Sequence, residues 1–190
     1  MAKAPTFSLI ILIFIAISLP TNSKEFPTKG EMRRSQQLTH FLFYFHYHLR
    51  GNETSVLVVA QAPTTNTYRT RFGEVQVVDI RLTEGPNLSS RTLGRAQGLF
   101  TYADVRETGL LMVYNYFFTE GRYNGSTLNV MGRYPPRSDN IEMAVIGGSG
   151  HLRGARGYVR VRELVNDLER GIDIDEHHVS VIFPSPLLDI

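Results

Sequence analysis

The sequence predicts an all-β domain of antiparallel strands. Nine runs rich in Val, Ile, Tyr, Phe and Thr, at 41–49, 55–61, 74–80, 96–102, 110–119, 126–131, 143–146, 157–161 and 179–183, are bounded by Gly, Pro and Asn, the pattern of strands between turns. No amphipathic helix separates one run from the next. That argues against alternating β and α units and for a meander that closes into a barrel or folds into a sandwich. In the first run Phe41, Phe43, Phe45 and Tyr47 point one way while Leu42, Tyr44, His46 and His48 point the other. Large apolar groups on both faces predict a strand covered on each side. A closed barrel with subunit packing outside it would do this, whereas an isolated sandwich would leave one face wet.

The segments flanking the strands read in order. Lys3 precedes the apolar run 7–19, Pro20 follows it, and Thr21 and Ser23 are small residues suited to cleavage after Ser23. This is the pattern of a secretory leader, too short for the roughly 20 apolar residues of a membrane span. Residues 1–23 are therefore expected to be a cleaved signal peptide and 24–37 a flexible segment, with a single domain over 38–190. The mature chain is expected outside the cell, with no membrane attachment. Three sequons begin at Asn52, Asn87 and Asn124, each beside turn residues, so an exported glycoprotein is expected.

Composition excludes several kinds of chemistry. The chain has no cysteine, so disulfide staples and thiolate nucleophiles or metal ligands are ruled out. With Lys3 removed the chain is nearly neutral, 20 Lys and Arg facing 18 Asp and Glu in the full sequence. It shows no basic face of the kind nucleic acid demands. Gly147-Gly-Ser-Gly150 lacks the third glycine of a dinucleotide fingerprint, since Arg153 stands there and strand character resumes. It reads as a β-turn. His46 and His48 share a strand face and with His177 or His178 would supply three corners of a zinc site, but no spacing specifies one, and no metal or other cofactor is expected. His46 reads as a hydrogen-bonded structural residue. No Gly-x-Ser-x-Gly elbow announces a hydrolase.

Longer motifs are more specific. Phe43-Tyr-Phe-His46 leads to Gly51-Asn52-Glu-Thr54; then come Phe72-Gly, Asp79, Leu82-Thr-Glu-Gly-Pro86 and Gly94-Arg-Ala-Gln-Gly98. Gly121-Arg-Tyr-Asn-Gly-Ser-Thr-Leu-Asn-Val-Met-Gly132, Gly147-Gly-Ser-Gly150 and Ala155-Arg-Gly-Tyr158 complete the set. In this order, from about residue 38 to 181, they resemble the plant dirigent protein family. The resemblance implies an eight-stranded antiparallel β-barrel of the calycin or allene oxide cyclase type, assembled as a homo-oligomer, dimer or trimer, and delivered to the apoplast. It further implies that the lumen binds phenylpropanoid radicals made by a separate oxidase, a laccase or peroxidase, and steers their coupling, as of monolignols such as coniferyl alcohol into lignans.

Position by position, the resemblance implies a pocket of Tyr47, Asp79, Phe100, Tyr102, Tyr134 and Ile141. Tyr47 stands where the family has an acid, Phe100 where it has a tyrosine, and Tyr134 and Ile141 where its more active members have an aspartate and an arginine. Tyr102 matches a family tyrosine and is expected inside, with Arg95, Gln97 and Thr101 outside. The expected lumen thus keeps aromatic walls and loses most of its charged acid–base set. Steering needs shape and stacking, but the quinone methide formed on coupling must be protonated as a ring closes, for which a buried carboxylic acid of raised pKa is the natural donor. No interior acid is placed by the sequence. Two other roles stay open: a phenolic-binding or wall-organising barrel without coupling activity, and a dehydratase or cyclase acting on a phenolic intermediate.

Overall fold

In the computed structural model the described residues are 36–167 and 169–184. The leader and nearly all of the segment 24–37 lie outside them. The chain forms β1 (Gln36–His48), β2 (Val56–Ala60), β3 (Val75–Thr83), β4 (Thr92–Tyr102), β5 (Leu110–Phe118), β6 (Thr127–Tyr134), β7 (Ile141–Gly148), β8 (Arg156–Asp167) and β9 (Ile172–Pro184). Short 3₁₀ turns at 65–67, 121–123 and 150–152 are the only helical elements among the described residues.

Every neighbouring pair from β3 to β9 is antiparallel, and β9 pairs along its whole length with β1, from Gln36↔Pro184 to His48↔Ile172. β1 then closes on β3 through Tyr44↔Thr83 to His46↔Arg81. The result is an eight-stranded barrel. β2 continues along the edge of β3 that β1 leaves free, with Val56↔Val78 and Leu57↔Val77.

Side-chain alternation sorts the interior from the exterior. β5 is the clearest case: Leu110, Met112, Tyr114, Tyr116 and Phe118 are buried and the intervening residues exposed. Opposite them β4 turns Gly94, Ala96 and Gly98 inward. A Cβ on Gly98 would run into the Val113 carbonyl and Tyr114, so the Gly-Arg-Ala-Gln-Gly block is small inside because the large rings of β5 lie against it. Around these rings Phe43 meets Tyr116 at a centroid distance of 4.8 Å, and Phe45 stacks on His177 at 3.8 Å. This aromatic plug, with Phe118 and Phe183, fills the middle and one end of the barrel. The other end is left for a site.

Both faces of β1 are covered only from Phe43 to Tyr47, with the outer cover over His46 coming from this chain; Leu42, expected on a covered outer face, is 48 % exposed. His46 is buried and its Nε2 lies 2.7 Å from Thr83 Oγ1, which donates to the Gly85 carbonyl at 2.7 Å. β8 and β9 run well past the predicted 157–161 and 179–183. The added stretches are rich in Asp, Glu and His, poor strand formers on composition alone, and are carried by pairing from Arg156↔Ile182 to Asp167↔Ile172 that a bulge between Glu163 and Val165 shifts but does not end.

Candidate functional site

The open end of the barrel holds a cavity of about 770 Å³. Its walls come from the last residue of interior parity on β1, Tyr47, from Phe100 and Tyr102 at the end of β4, from Leu110 and Met112 at the start of β5, and from Tyr134 closing β6. Such a volume falls within the range of about 300–1,000 Å³ that small-molecule sites occupy.

Polar groups enter from β8 and β9, where Glu163 and Asp173 reach the cavity. Beneath them Asp175 is 1 % exposed. Tyr47 donates to Asp175 Oδ2 at 2.9 Å and Tyr134 donates to the same oxygen at 3.3 Å. Oδ1 of Asp175 and Oδ1 of Asp173 are buried without any partner. Burial, reinforced by Asp173, pushes the Asp175 carboxyl up to about 7, and burial with the nearby Glu163 pushes Asp173 up to about 6. Burial also raises the phenols of Tyr47, Tyr134 and Tyr102. One layer deeper, Tyr116 Oη sits 2.9 Å from His177 Nδ1 and 3.2 Å from Tyr114 Oη. Burial drives His177 down to about 3, so it is a neutral ring in the plug.

The rim is pinned by Glu74, which is fully buried and accepts from Arg71 Nη2 at 2.5 Å, Gln61 Nε2 at 2.6 Å and Gln76 Nε2 at 2.7 Å. Arg71 also lies over the Tyr102 ring, 5.3 Å from its centroid. Arg71 (φ 58°) and Arg137 (φ 64°) are the two non-glycine residues of positive φ among the described residues, and both line the cavity. Sparsely populated backbone of this kind is held in place by its surroundings and gathers at ligand sites.

Of the six residues expected in the pocket, Tyr47, Phe100, Tyr102 and Tyr134 converge on this cavity. Asp79 does not. On β3 the inward positions are Gln76, Val78, Ile80 and Leu82, which turns Asp79 to the outer surface, where Arg95 Nε binds it at 2.5 Å. Ile141 is buried in the core beside Val161 on β8, away from the cavity walls. The expected lumen loses most of its charged acid–base set and the sequence places no interior acid; the structure adds two, Asp173 and Asp175, on β9. Arg95, Gln97 and Thr101 have the outer parity of β4, opposite to Phe100 and Tyr102. His46 and His177 sit on opposite faces of the barrel wall, and among the described residues no three His, Asp or Glu side chains cluster as a metal site requires. Asn52, Asn87 and Asn124 are exposed.

The chain matches the family model for dirigent-like proteins over residues 38–182. It belongs to the dirigent family. Among its relatives, dirigent protein 11 of Arabidopsis thaliana is 44% identical over 153 residues, covering 80% of this chain and 78% of that protein. Pterocarpan synthase 1 of Glycine max is 36% identical, covering 95% and 98% respectively. The fold also resembles the solved structure of a pterocarpan synthase dirigent protein at a TM-score of 0.74 and 35% identity, covering 82% of this chain and 90% of that one. A second such structure gives 0.71 and 34%, covering 80% and 97%. Dirigent relatives with both kinds of name thus align with nearly the whole barrel.

Proposed function

We propose that this dirigent barrel holds phenolic ligands of the phenylpropanoid type in its open end and imposes stereochemistry on the bond they form, the radicals being supplied by a separate laccase or peroxidase. The observation that carries the reading is the 770 Å³ cavity itself, walled by Tyr47, Phe100, Tyr102 and Tyr134. Aromatic rings at fixed angles select one stacking geometry for a planar guest, and holding two reactants in one orientation needs no covalent help from the protein. A ring of roughly 150–250 Å², buried at about 25 cal/mol per Å², gains on the order of 4–6 kcal/mol before entropy costs. The carboxyl and guanidinium groups at the cavity add orientation.

The test is coupling of coniferyl alcohol by a one-electron oxidant with and without the purified protein, followed by chiral chromatography. One enantiomer in excess is the expected result; a racemate in both arms refutes it. A second reading, closure or dehydration of a phenolic intermediate without any oxidant, is favoured by the interior acids, because loss of water from a carbinol needs a proton donor. A phenolic benzylic alcohol offered without oxidant distinguishes it: conversion there, with none of the selectivity above, makes the protein a cyclase or dehydratase.

The mature protein is proposed to be exported to the apoplast and glycosylated, readings supported by the apolar leader and the exposed sequon asparagines. N-terminal sequencing that begins near Lys24, and a glycosidase-induced mobility shift, are the expected outcomes. Self-association is proposed through the outer wall. There Leu57, Val77, Leu99, Val113, Met131, Ala144 and Tyr158 pair in register from β2 to β8 and form one exposed apolar row. A contiguous exposed apolar face is what a protein interface looks like before its partner arrives.

A further inference from the structure

Below the cavity the aromatic plug carries polar groups that no ligand touches. Tyr114, Tyr116 and His177 are buried, and none of the three lines the cavity. Tyr116 Oη stands between the other two, 3.2 Å from Tyr114 Oη and 2.9 Å from His177 Nδ1. His177 is neutral, so Nδ1 accepts and the hydrogen bonds run from Tyr114 to Tyr116 to His177. The reverse order would leave the Tyr114 proton without an acceptor among the described residues. The ring hydrogen then sits on Nε2, which is buried without a partner. A plug that served packing alone would be built of phenylalanine and would carry neither the hydroxyls nor that stranded N–H.

The rings around this chain stand in series. Phe100 on the cavity wall meets Tyr114 at 6.0 Å between centroids, Tyr114 meets Tyr116 at 5.3 Å, and Tyr116 meets Phe43 at 4.8 Å. Phe118 follows at 6.1 Å and Tyr123 at 6.3 Å. Tyr123 is half-buried in the turn before β6, at the end of the barrel opposite the cavity. The chain has neither tryptophan nor cysteine, so tyrosine is the most readily oxidised side chain along this line. A buried tyrosine yields an electron only if its proton has an acceptor in place, and for Tyr116 that acceptor is His177 Nδ1.

We propose that Tyr123 and Tyr116 relay single oxidising equivalents through the barrel to a phenol held in the cavity, with His177 holding the Tyr116 proton and Tyr114 bridging to the cavity wall. The inference rests on the reading of the cavity as a phenolic site, and its oxidant is the separate laccase or peroxidase of that reading, acting at the closed end. The oxidant takes one electron from Tyr123, whose phenolic proton leaves to water. Tyr123 then regains an electron from Tyr116 and a proton from water, while the Tyr116 proton passes to His177. Tyr116 in turn takes an electron from the ligand phenol across the Tyr114 and Phe100 rings and recovers its proton from His177. The ligand's phenolic proton leaves through the cavity mouth. One oxidant is reduced, one phenol becomes a phenoxyl radical, one proton is released and the protein is unchanged. The last transfer is downhill, because a methoxyphenol has a more electron-rich ring than tyrosine. A radical made this way arises already oriented, whereas one made in solution must first be captured.

The test uses the full mature chain with a ruthenium polypyridyl photosensitiser attached at Asn124→Cys, the exposed neighbour of Tyr123 and then the sole cysteine. A flash with a sacrificial electron acceptor oxidises the sensitiser at the closed end, and transient absorption with freeze-quench electron paramagnetic resonance follows the hole. Coniferyl alcohol is the probe. Without it a tyrosyl radical should form, more slowly in D₂O; with it that signal should decay as a methoxyphenoxyl signal grows, at a rate independent of protein concentration. Tyr116→Phe should abolish the probe radical, and His177→Phe should slow tyrosyl formation by about 100-fold. Probe binding by equilibrium dialysis should be unchanged in both, and Tyr158→Phe on the outer wall should leave the radical yield unchanged. A probe radical that survives Tyr116→Phe, or whose rate scales with protein concentration, overturns the relay. Should the core variants not fold, the wild type decides: no tyrosyl radical, or one that forms equally fast in D₂O, overturns it. A wild type that binds coniferyl alcohol but passes no hole to it refutes this inference alone, whereas one that does not bind it refutes the proposed function.

Discussion

Asp175 should make the stability of this barrel depend on pH in a direction opposite to that of a salt-bridged carboxylate, whose pKa is lowered in the fold. An ordinary aspartate titrates near 3.8, while burial beside Asp173 lifts this one to about 7. Between those values the folded protein holds a proton that the unfolded chain has released. The stabilisation is therefore complete below about pH 4 and is lost as pH rises through 7. Roughly three pH units at about 1.4 kcal/mol each set an upper bound of about 4 kcal/mol. Relaxation and water entry reduce it, so about 2–4 kcal/mol is the expected range.

The wild-type curve alone would hide this. His177, driven down to about 3 by burial, stays neutral in the fold while the unfolded chain takes up a proton below about 6.5, so its contribution falls as pH drops. Between pH 4 and 6.5 the two slopes oppose each other. Comparison with Asp175→Asn isolates the carboxyl. At pH 4.5 the amide is a poor replacement, because its NH₂ lands where Oδ1 has no partner, which costs about 1–3 kcal/mol. At pH 8 the variant escapes the buried charge. At about 2–4 °C per kcal/mol for a chain of this size, the variant-minus-wild-type difference in Tm should rise by about 4–16 °C from pH 4.5 to 8. Thermal unfolding followed by circular dichroism across that range measures it. A difference that stays constant with pH would show that Asp175 titrates normally and would refute the reasoning.

Other perturbations test the rest of the construction. Glu74→Gln should loosen the 61–74 rim at a cost of about 1–3 kcal/mol, since one buried oxygen now serves both Arg71 and Gln61, and hydrogen exchange of those amides should speed up. Leu99→Glu sits at the centre of the outer apolar row and should convert an oligomer to monomer in size-exclusion chromatography while leaving the circular dichroism spectrum unchanged. Tyr134→Asp, although it writes the family acid back, places a third carboxyl against Asp173 and Asp175; it should destabilise the barrel above pH 6 by a few kcal/mol and spare it at pH 4, as urea titrations at the two values would show.

What the sequence made legible follows from where its alternation is apolar. β5 reads as a barrel strand because every inward residue is large and hydrophobic, and Phe100 and Tyr102 follow from the parity of Gly94, Ala96 and Gly98. Composition alone stops short of the first half of β9, because Asp173-Ile-Asp-Glu-His-His178 resembles a loop, yet parity carries the signal: stepping back by twos from the inward Phe183, Val181 and Val179 reaches His177, Asp175 and Asp173. The same parity rule, applied to Val78 and Ile80, turns Asp79 outward. Composition and parity disagree where a site needs charge inside, and there parity is the better guide, because the pleat fixes direction whatever the side chain is. Only tertiary closure could bring β9 beside β1 and set Asp175 between Tyr47 and Tyr134, which lie 128 and 41 positions from it along the chain. Loss of acids at two family positions therefore does not mean loss of acid from the lumen. A barrel admits a carboxyl from any of its eight walls, and the wall that supplies it fixes the side of the cavity on which the acid stands.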